Sequence, residues 1–152
     1  MASPRAKTHN YLNFVLGDLE VEAQNADALS VLLDKNGNLA EGKGSNIFLI
    51  KDEKLVTPKE KYVLPGVSRE VVIELSKILE YEMKEDDIDL FDAYNADEAF
   101  ITSTSFCICP VQSLNGRHLK AAEVPGPITT QLINSYIELV GFDWYSQYLS
   151  KL

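Results

Sequence analysis

The sequence predicts an α+β fold with a mainly antiparallel sheet or barrel-like core and flanking helices, and three observations carry that expectation. Short apolar runs separated by turn residues follow one another between residues 28 and 57. Apolar residues recur at helical spacing over 12–23, 71–79 and 128–140. Strands come in a block and helices after it, rather than in strict alternation. Length and composition suit one such domain. A chain of 152 residues can bury about 68–70% of its unfolded surface, and a hydrophobic content of 45% supplies the core.

Residues 1–10 are polar and lack periodicity. From Tyr11 to Ala23 the spacing predicts an amphipathic helix, with Leu12, Val15, Leu16, Leu19 and Ala23 as its apolar face. Ala28–Leu33 and Asn38–Glu41 read as strands around Asp34–Asn38, where Asn36-Gly37 is a hairpin signal because both positions tolerate φ > 0. A third strand, Asn46–Ile50, turns through Lys51–Lys54 into Leu55–Thr57. Leu64-Pro-Gly-Val-Ser-Arg69 then opens a second helix, with Ser68 as N-cap and Val71, Val72, Leu75, Ile78 and Leu79 on the apolar face. The acidic stretch Glu80–Asp92 reads as a short strand and a helical turn with a solvated face. Asp97–Val111 reads as a strand leading into a turn, and Asn115-Gly116 as a hairpin. Pro125-Gly-Pro127 precedes a last helix, Ile128–Val140, closed by Gly141.

Lys and Arg number 14 against 23 Asp and Glu, a formal charge of −9. Such a surface repels phosphate backbones and anionic bilayers, so nucleic acid and membrane are not expected partners. The first residues lack the apolar stretch of a signal peptide, and no apolar run approaches the ~18 residues of a membrane span. A cytoplasmic protein is expected. Cys107 and Cys109 stand one residue apart. On a strand both would face the same way, with Cα atoms roughly 6.6 Å apart, which disfavours an internal disulfide. His9 and His118 are isolated, so no metal site is expected.

Four segments supply groups that an ordinary core does not need. Lys7 lies just before the first helix; a lysine whose amine is made nucleophilic can form a Schiff base with an aldehyde cofactor, although taken alone a lysine near a terminus is usually just solvated. In Glu41-Gly-Lys-Gly-Ser-Asn46 a carboxylate beside two glycines could pair with a cationic ring nitrogen, or the segment could be a plain turn. Leu64-Pro-Gly-Val-Ser-Arg69 presents the free N–H groups of a helix start, a ready site for phosphate, with the Ser68 hydroxyl as a further donor or as the helix cap. Thr102, Ser103, Thr104 and Ser105 could offer donors to oxyanions, or cap a turn. A pyridine aldehyde phosphate would use all four.

Together, Lys7…Asn10-Tyr11, Leu-Leu-Asp34-x-x-Gly37, Glu41-Gly-x-Gly-Ser-Asn46-Ile-Phe48, Thr57-Pro58, Leu64-Pro-Gly-x-Ser-Arg69, Ala96-Asp-Glu-Ala-Phe100, Thr104, Pro110-Val111 and Gly126-Pro127 resemble the class IV pyridoxal-phosphate aminotransferases. That family includes branched-chain and D-amino acid aminotransferases, (R)-selective amine transaminases and aminodeoxychorismate lyase. The resemblance implies the large domain of the D-amino acid aminotransferase-like fold, with pyridoxal 5'-phosphate as cofactor. It makes Lys7 the lysine that bonds the cofactor and shuttles a proton. Tyr11 would hydrogen-bond the phenolic oxygen, Glu41 would hold the ring nitrogen protonated, and Leu64 would pack under the ring. The phosphate would rest on the Val67 and Ser68 N–H groups, beside Gly66, and on the Ser68 and Thr104 hydroxyls, with Ser103 in the same turn. Thr104 and Ser105 would face the substrate carboxylate.

The resemblance further implies an amino acid or amine and a 2-oxo acid as substrates, branched-chain type first, and a homodimer. The alternatives are the lyase branch and an inactive domain kept as an interaction module. Two departures are visible. Lys7 is only six residues from the start, so residues 1–152 are expected to be the large cofactor domain alone, without the family's smaller N-terminal domain. Ser103 also stands where many members carry glycine.

Overall fold

The computed structural model describes residues 3–151. In chain order the elements are α1 (Leu12–Glu22), β1 (Val31–Leu33), β2 (Leu39–Gly42), β3 (Ser45–Lys51), β4 (Lys54–Pro58), α2 (Val67–Ile78), β5 (Met83–Asp86), α3 (Leu90–Tyr94), β6 (Glu98–Ser103), β7 (Cys107–Val111), β8 (Ser113–Leu114), β9 (Arg117–His118), α4 (Pro127–Val140) and α5 (Trp144–Leu149), with a 3-10 turn at Glu60–Tyr62.

Strand β3 is the axis of a seven-stranded sheet. One of its edges is shared: Glu41 and Gly42 of β2 pair with its start, and Lys54–Val56 of β4 with its end. The other edge pairs with β6 over Asn46–Ile50, and β7 continues beyond β6. All these pairings are antiparallel, while β4 and β5 run parallel. A parallel pair needs a crossover, and α2 is that crossover, laid on the sheet with its N-terminus just past the end of β4. The sheet stays open, with β1, β5 and β7 at its ends, so the barrel-like alternative gives way to an α+β sheet with flanking helices.

The run Ile47-Phe-Leu-Ile50 shows no polar alternation because both faces of β3 are covered. Phe48, Ile50 and Phe100 enter a core with α2, α4 and Trp144 of α5, where the Phe48 and Phe100 rings stack 5.0 Å apart. Ile47, Leu49, Ala99 and Ile101 enter a second core with Ile88 and Ala93 on the opposite face. The start of α4 is fixed by buried Glu98, whose two carboxylate oxygens accept the N–H groups of Ile128 (3.1 Å) and Thr129 (2.9 Å).

Several expectations are corrected. In α1 the predicted apolar face points outward: Leu12, Leu16 and Leu19 are 65%, 57% and 59% exposed, while Phe14, Gly17, Asp18 and Val21 form the half-buried side toward β1. The cap of α2 is Gly66, not Ser68, and Ile78 lies outside the core. Asp97–Val111 is a hairpin of two strands, β6 and β7. Cys107 takes a positive φ of 55°, which breaks the alternation, so Cys107 packs against the first core and Cys109 against the second; both thiols are free. Helix α5 carried no sequence signal beyond a short aromatic run. Among the described residues no helix is long and apolar enough to cross a membrane.

Candidate active site

Between the segment preceding α1 and the β2–β3 turn lies an open cleft, lined by Lys7, His9, Tyr11, Glu41, Asn46 and Leu64 among others. Lys7 sits on irregular, exposed chain whose path is set by the Thr8 N–H to Ala6 carbonyl bond (2.7 Å) and by the positive φ of His9 (57°). Tyr11 borders the start of α1, and its ring meets His9 edge to face at 5.9 Å.

Glu41 is half-buried on β2, directly opposite Asn46 on β3. Its Oε2 accepts the Leu64 N–H at 2.8 Å and the Asn46 Nδ2 at 3.4 Å, and the same Nδ2 donates to the Leu64 carbonyl at 2.9 Å. Among the described residues Oε1 has no hydrogen-bond partner. Burial pushes the Glu41 carboxyl above its ordinary range, and the Leu64 N–H pulls back against that rise. A cation entering the cleft at Oε1 would relieve the cost of the buried charge. The glycine of Leu64-Pro-Gly has a local reason too. A Cβ on Gly66 would stand 2.4 Å from Asn46 Oδ1, so only glycine lets the clamp around Leu64 close.

The second group of candidate residues surrounds the start of α2. Gly66 occupies the N-cap with no side-chain cap bond, and the first intrahelical bond runs from the Glu70 N–H to the Gly66 carbonyl at 3.0 Å. The N–H groups of Val67, Ser68 and Arg69 therefore have no intrahelical acceptor and no capping side chain, the arrangement that accepts an anion. The Ser68 hydroxyl donates to the Ser103 carbonyl (2.9 Å) and accepts from the Tyr136 hydroxyl (3.4 Å). Its single proton thus ties the end of β6 to the start of α2. In the turn that follows, the Ser105 N–H donates to Ser103 Oγ at 3.3 Å, and the Tyr148 hydroxyl of α5 donates to the Ser105 carbonyl. Thr104 lies between these two anchors.

The structure thus brings Lys7, Tyr11, Glu41 and Leu64 into one cleft. Gly66, Val67, Ser68, Ser103, Thr104 and Ser105 do not line it; they form a neighbouring group joined to it through Leu64-Pro65-Gly66. Asn46, quoted in the motif but given no role, is the clamp between Glu41 and Leu64. Thr102 stands opposite Asn46, hence on the same sheet face, with a buried hydroxyl that has no partner among the described residues. Chemically, the set offers an amine, a carboxylate awaiting a cation, and an uncapped helix start for an anion.

The family model described as amino-transferase class IV matches residues 1–114. The chain belongs to this family. Within class IV it is 36% identical over 137 residues to the branched-chain-amino-acid aminotransferase of Pseudomonas aeruginosa, covering 90% of this chain and 44% of that protein. The crystal structure of the branched-chain amino acid aminotransferase from Thermobaculum terrenum in its PLP-form superposes with a TM-score of 0.85 at 36% identity, covering 92% of this chain and 46% of that one. The Escherichia coli enzyme gives a TM-score of 0.82 at 32% identity, covering 91% and 48%. The chain spans less than half the length of each of these relatives. Both groups of class IV candidate residues, the cleft and the α2 start with its facing turn, fall inside the matched residues 1–114.

Proposed function

We propose that the chain holds pyridoxal 5'-phosphate and takes part in moving an amino group between an amino acid, of branched-chain type, or an amine and a 2-oxo acid. The observation that carries the reading is the pairing in one cleft of Lys7 with Glu41, a half-buried carboxylate whose Oε1 is unoccupied by protein donors. The residues suit this group on two further counts: the 12-residue helix α2 starts uncapped beside the cleft, and the Thr104 turn is tied to that start through Ser68. Class IV membership and the relatives' names support the same reading. When bound, the cofactor supplies an aldehyde for amines and a ring that stores an electron pair.

In this reading Lys7 Nζ would hold the aldehyde carbon covalently, with water as the leaving group, and once displaced by the substrate amine its free amine would carry the proton to and from the substrate Cα. Glu41 Oε1 accepts from the protonated ring nitrogen and holds that proton in place, while Leu64 N–H and Asn46 fix the carboxylate from behind. The Tyr11 hydroxyl orients the ring oxygen and Leu64 supports the ring face. Val67 and Ser68 give their N–H groups to the phosphate, Gly66 lets it approach, and Ser103 and Thr104 close over it from the facing turn. The Ser68 hydroxyl joins them only by turning its proton away from the Ser103 carbonyl. Thr104 and Ser105 receive the substrate carboxylate. We further propose that residues 1–152 are one cofactor-binding domain, that it works as a homodimer, and that its compartment is the cytoplasm. The shared strands β3 and β6, common to both cores, support the single domain.

Mixing the chain with pyridoxal phosphate, reducing with borohydride and mapping the product by mass spectrometry tests the reading. A pyridoxyl label on Lys7 is expected, and its loss in Lys7→Ala. Labelling spread over other lysines, or none, sinks the proposal.

A further inference from the structure

Arg69, in the first turn of α2, is 1% exposed, an unusual place for a guanidinium. Its Nη2 donates to Glu85 Oε2 of β5 at 2.7 Å and to the Pro58 carbonyl at the end of β4 at 3.2 Å; its Nη1 donates to Glu70 Oε1 at 2.8 Å. Its Nε is buried without a partner among the described residues. Glu85 Oε2 also accepts the N–H of Glu60 at 2.9 Å, at the beginning of the loop that leads through Leu64 to Gly66. Burial pushes the Glu85 carboxyl up, but the Arg69 hydrogen bond and charge and the Glu60 N–H outweigh it and hold the carboxyl below its ordinary range. Glu85 is thus held as a carboxylate against the guanidinium at neutral pH.

These bonds brace the loop of residues 59–66 at three points. Glu85 holds its beginning at Glu60, Glu41 and Asn46 hold its middle at Leu64, and Arg69 holds the helix that follows. The guanidinium is buried while the Glu85 side chain is 38% exposed, and such a pair is a poor way to gain stability alone, because desolvation of the guanidinium and solvent screening at Glu85 offset much of its attraction. Two carboxylates face the guanidinium, so little of its charge is left over for an incoming anion, and its directional bonds set position instead. We infer that the Arg69–Glu85 pair is a positioning device that fixes the uncapped start of α2, with its Val67 and Ser68 N–H groups, relative to the Glu41 cleft, so that one phosphorylated ring can engage both. This rests on the reading that the cleft takes the ring and the helix start takes the phosphate.

The test compares pyridoxal phosphate with pyridoxal, which lacks the phosphate, by absorbance titration of the full chain and of Glu85→Gln and Arg69→Lys. Each variant is first shown by circular dichroism to be folded at the assay temperature. Should Arg69→Lys fail to fold, Glu85→Gln, at a site that is more open to solvent, carries the comparison. The expected result is a loss of about tenfold or more in affinity for pyridoxal phosphate, with pyridoxal changed by less than about twofold. Addition of inorganic phosphate should compete with pyridoxal phosphate in the parent chain and lose that effect in the variants. Equal losses for both ligands, or none, overturn the inference and mark the pair as a fold brace only. A parent chain that fails to prefer pyridoxal phosphate over pyridoxal overturns the functional reading first, and this inference with it.

Discussion

Glu41 and Asn46 face each other across the β2–β3 pair, so both side chains emerge on one face and share the Leu64 backbone between them. That arrangement leaves a carboxylate partly out of water, with no cation paired to it among the described residues. Its folded-state pKa is raised above the unfolded value near 4.3. The folding contribution of such a group is most favourable below the unfolded pKa and is lost as pH rises through the raised folded one, so at pH 7 the charge is a net cost. Glu41→Gln keeps an acceptor for the Leu64 N–H and removes the charge. The expected outcome for the ligand-free chain at pH 7 is a gain on the order of 1 kcal/mol, about 2–4 °C in Tm for a chain of this size, shrinking toward pH 4. For the amino transfer proposed above, the same variant should lose about 100-fold or more, because no carboxylate would then hold the ring nitrogen protonated. A fall in Tm at pH 7 would show instead that the carboxylate is already well satisfied in the folded chain.

At the scale of elements, helix α1 shows what periodicity can and cannot give. The apolar spacing of Leu12, Val15, Leu16 and Leu19 is real, but spacing does not say what covers a face. The face laid on the sheet is the one offering Gly17, whose added Cβ would stand 2.9 Å from Leu32 Cδ2 and 3.3 Å from Ser30 Oγ, and Asp18, which accepts the Ser30 hydroxyl at 2.6 Å. Close approach and a polar tether decide the docking. Leu16→Glu and Leu19→Glu should therefore leave stability within about 0.5 kcal/mol, while Gly17→Leu should cost about 1–3 kcal/mol by wedging the helix off β1; urea unfolding checks all three. If the leucine variants were the costly ones, the exposed face would be wrongly oriented. The same limit runs through the site. Lys7, Tyr11, Glu41 and Leu64 were legible because their motifs name side chains, and the cleft holds all four. Ser68 is not the cap that its residue type suggests, because the helix already begins at Val67 with Gly66 as its N-cap, and the Ser103 carbonyl, 35 residues on, takes the Ser68 hydroxyl. Arg69 with Glu85 was invisible because it depends on the parallel β4–β5 pairing, which no local pattern announces. The turn at Cys107 hid for a different reason: a positive φ in a non-glycine residue leaves no mark on composition.

For the molecule as a whole, the decisive fact is that two cores share the same strands. Along β3 and β6 successive residues alternate between them: Ile47 and Ile101 face one, Phe48 and Phe100 the other, all nearly or fully buried. Neither core can lose these strands without dismantling its neighbour. Unfolding should therefore be one transition, although the helices lie on different faces. The chain's one tryptophan makes this testable, since Trp144 belongs to the Phe48 core and packs edge-on to Tyr136 at 5.8 Å. Phe100→Ala removes a ring beside Phe48 and should cost about 3–5 kcal/mol; Ile47→Ala opens a cavity on the far face and should cost about 2–5 kcal/mol. The informative variant is Ile47→Ala, whose side chain lies on the face away from Trp144. Its denaturation midpoint followed by Trp144 fluorescence should fall as far as the midpoint followed by far-ultraviolet circular dichroism, with the slope unchanged. A fluorescence midpoint that stays at the parent value while the dichroism shifts would mean that the two cores unfold separately. The Glu41 cleft would then rest on two units, because Glu41 is carried on β2 beside Leu39 of the second core, while Leu64 leads into α2 of the first.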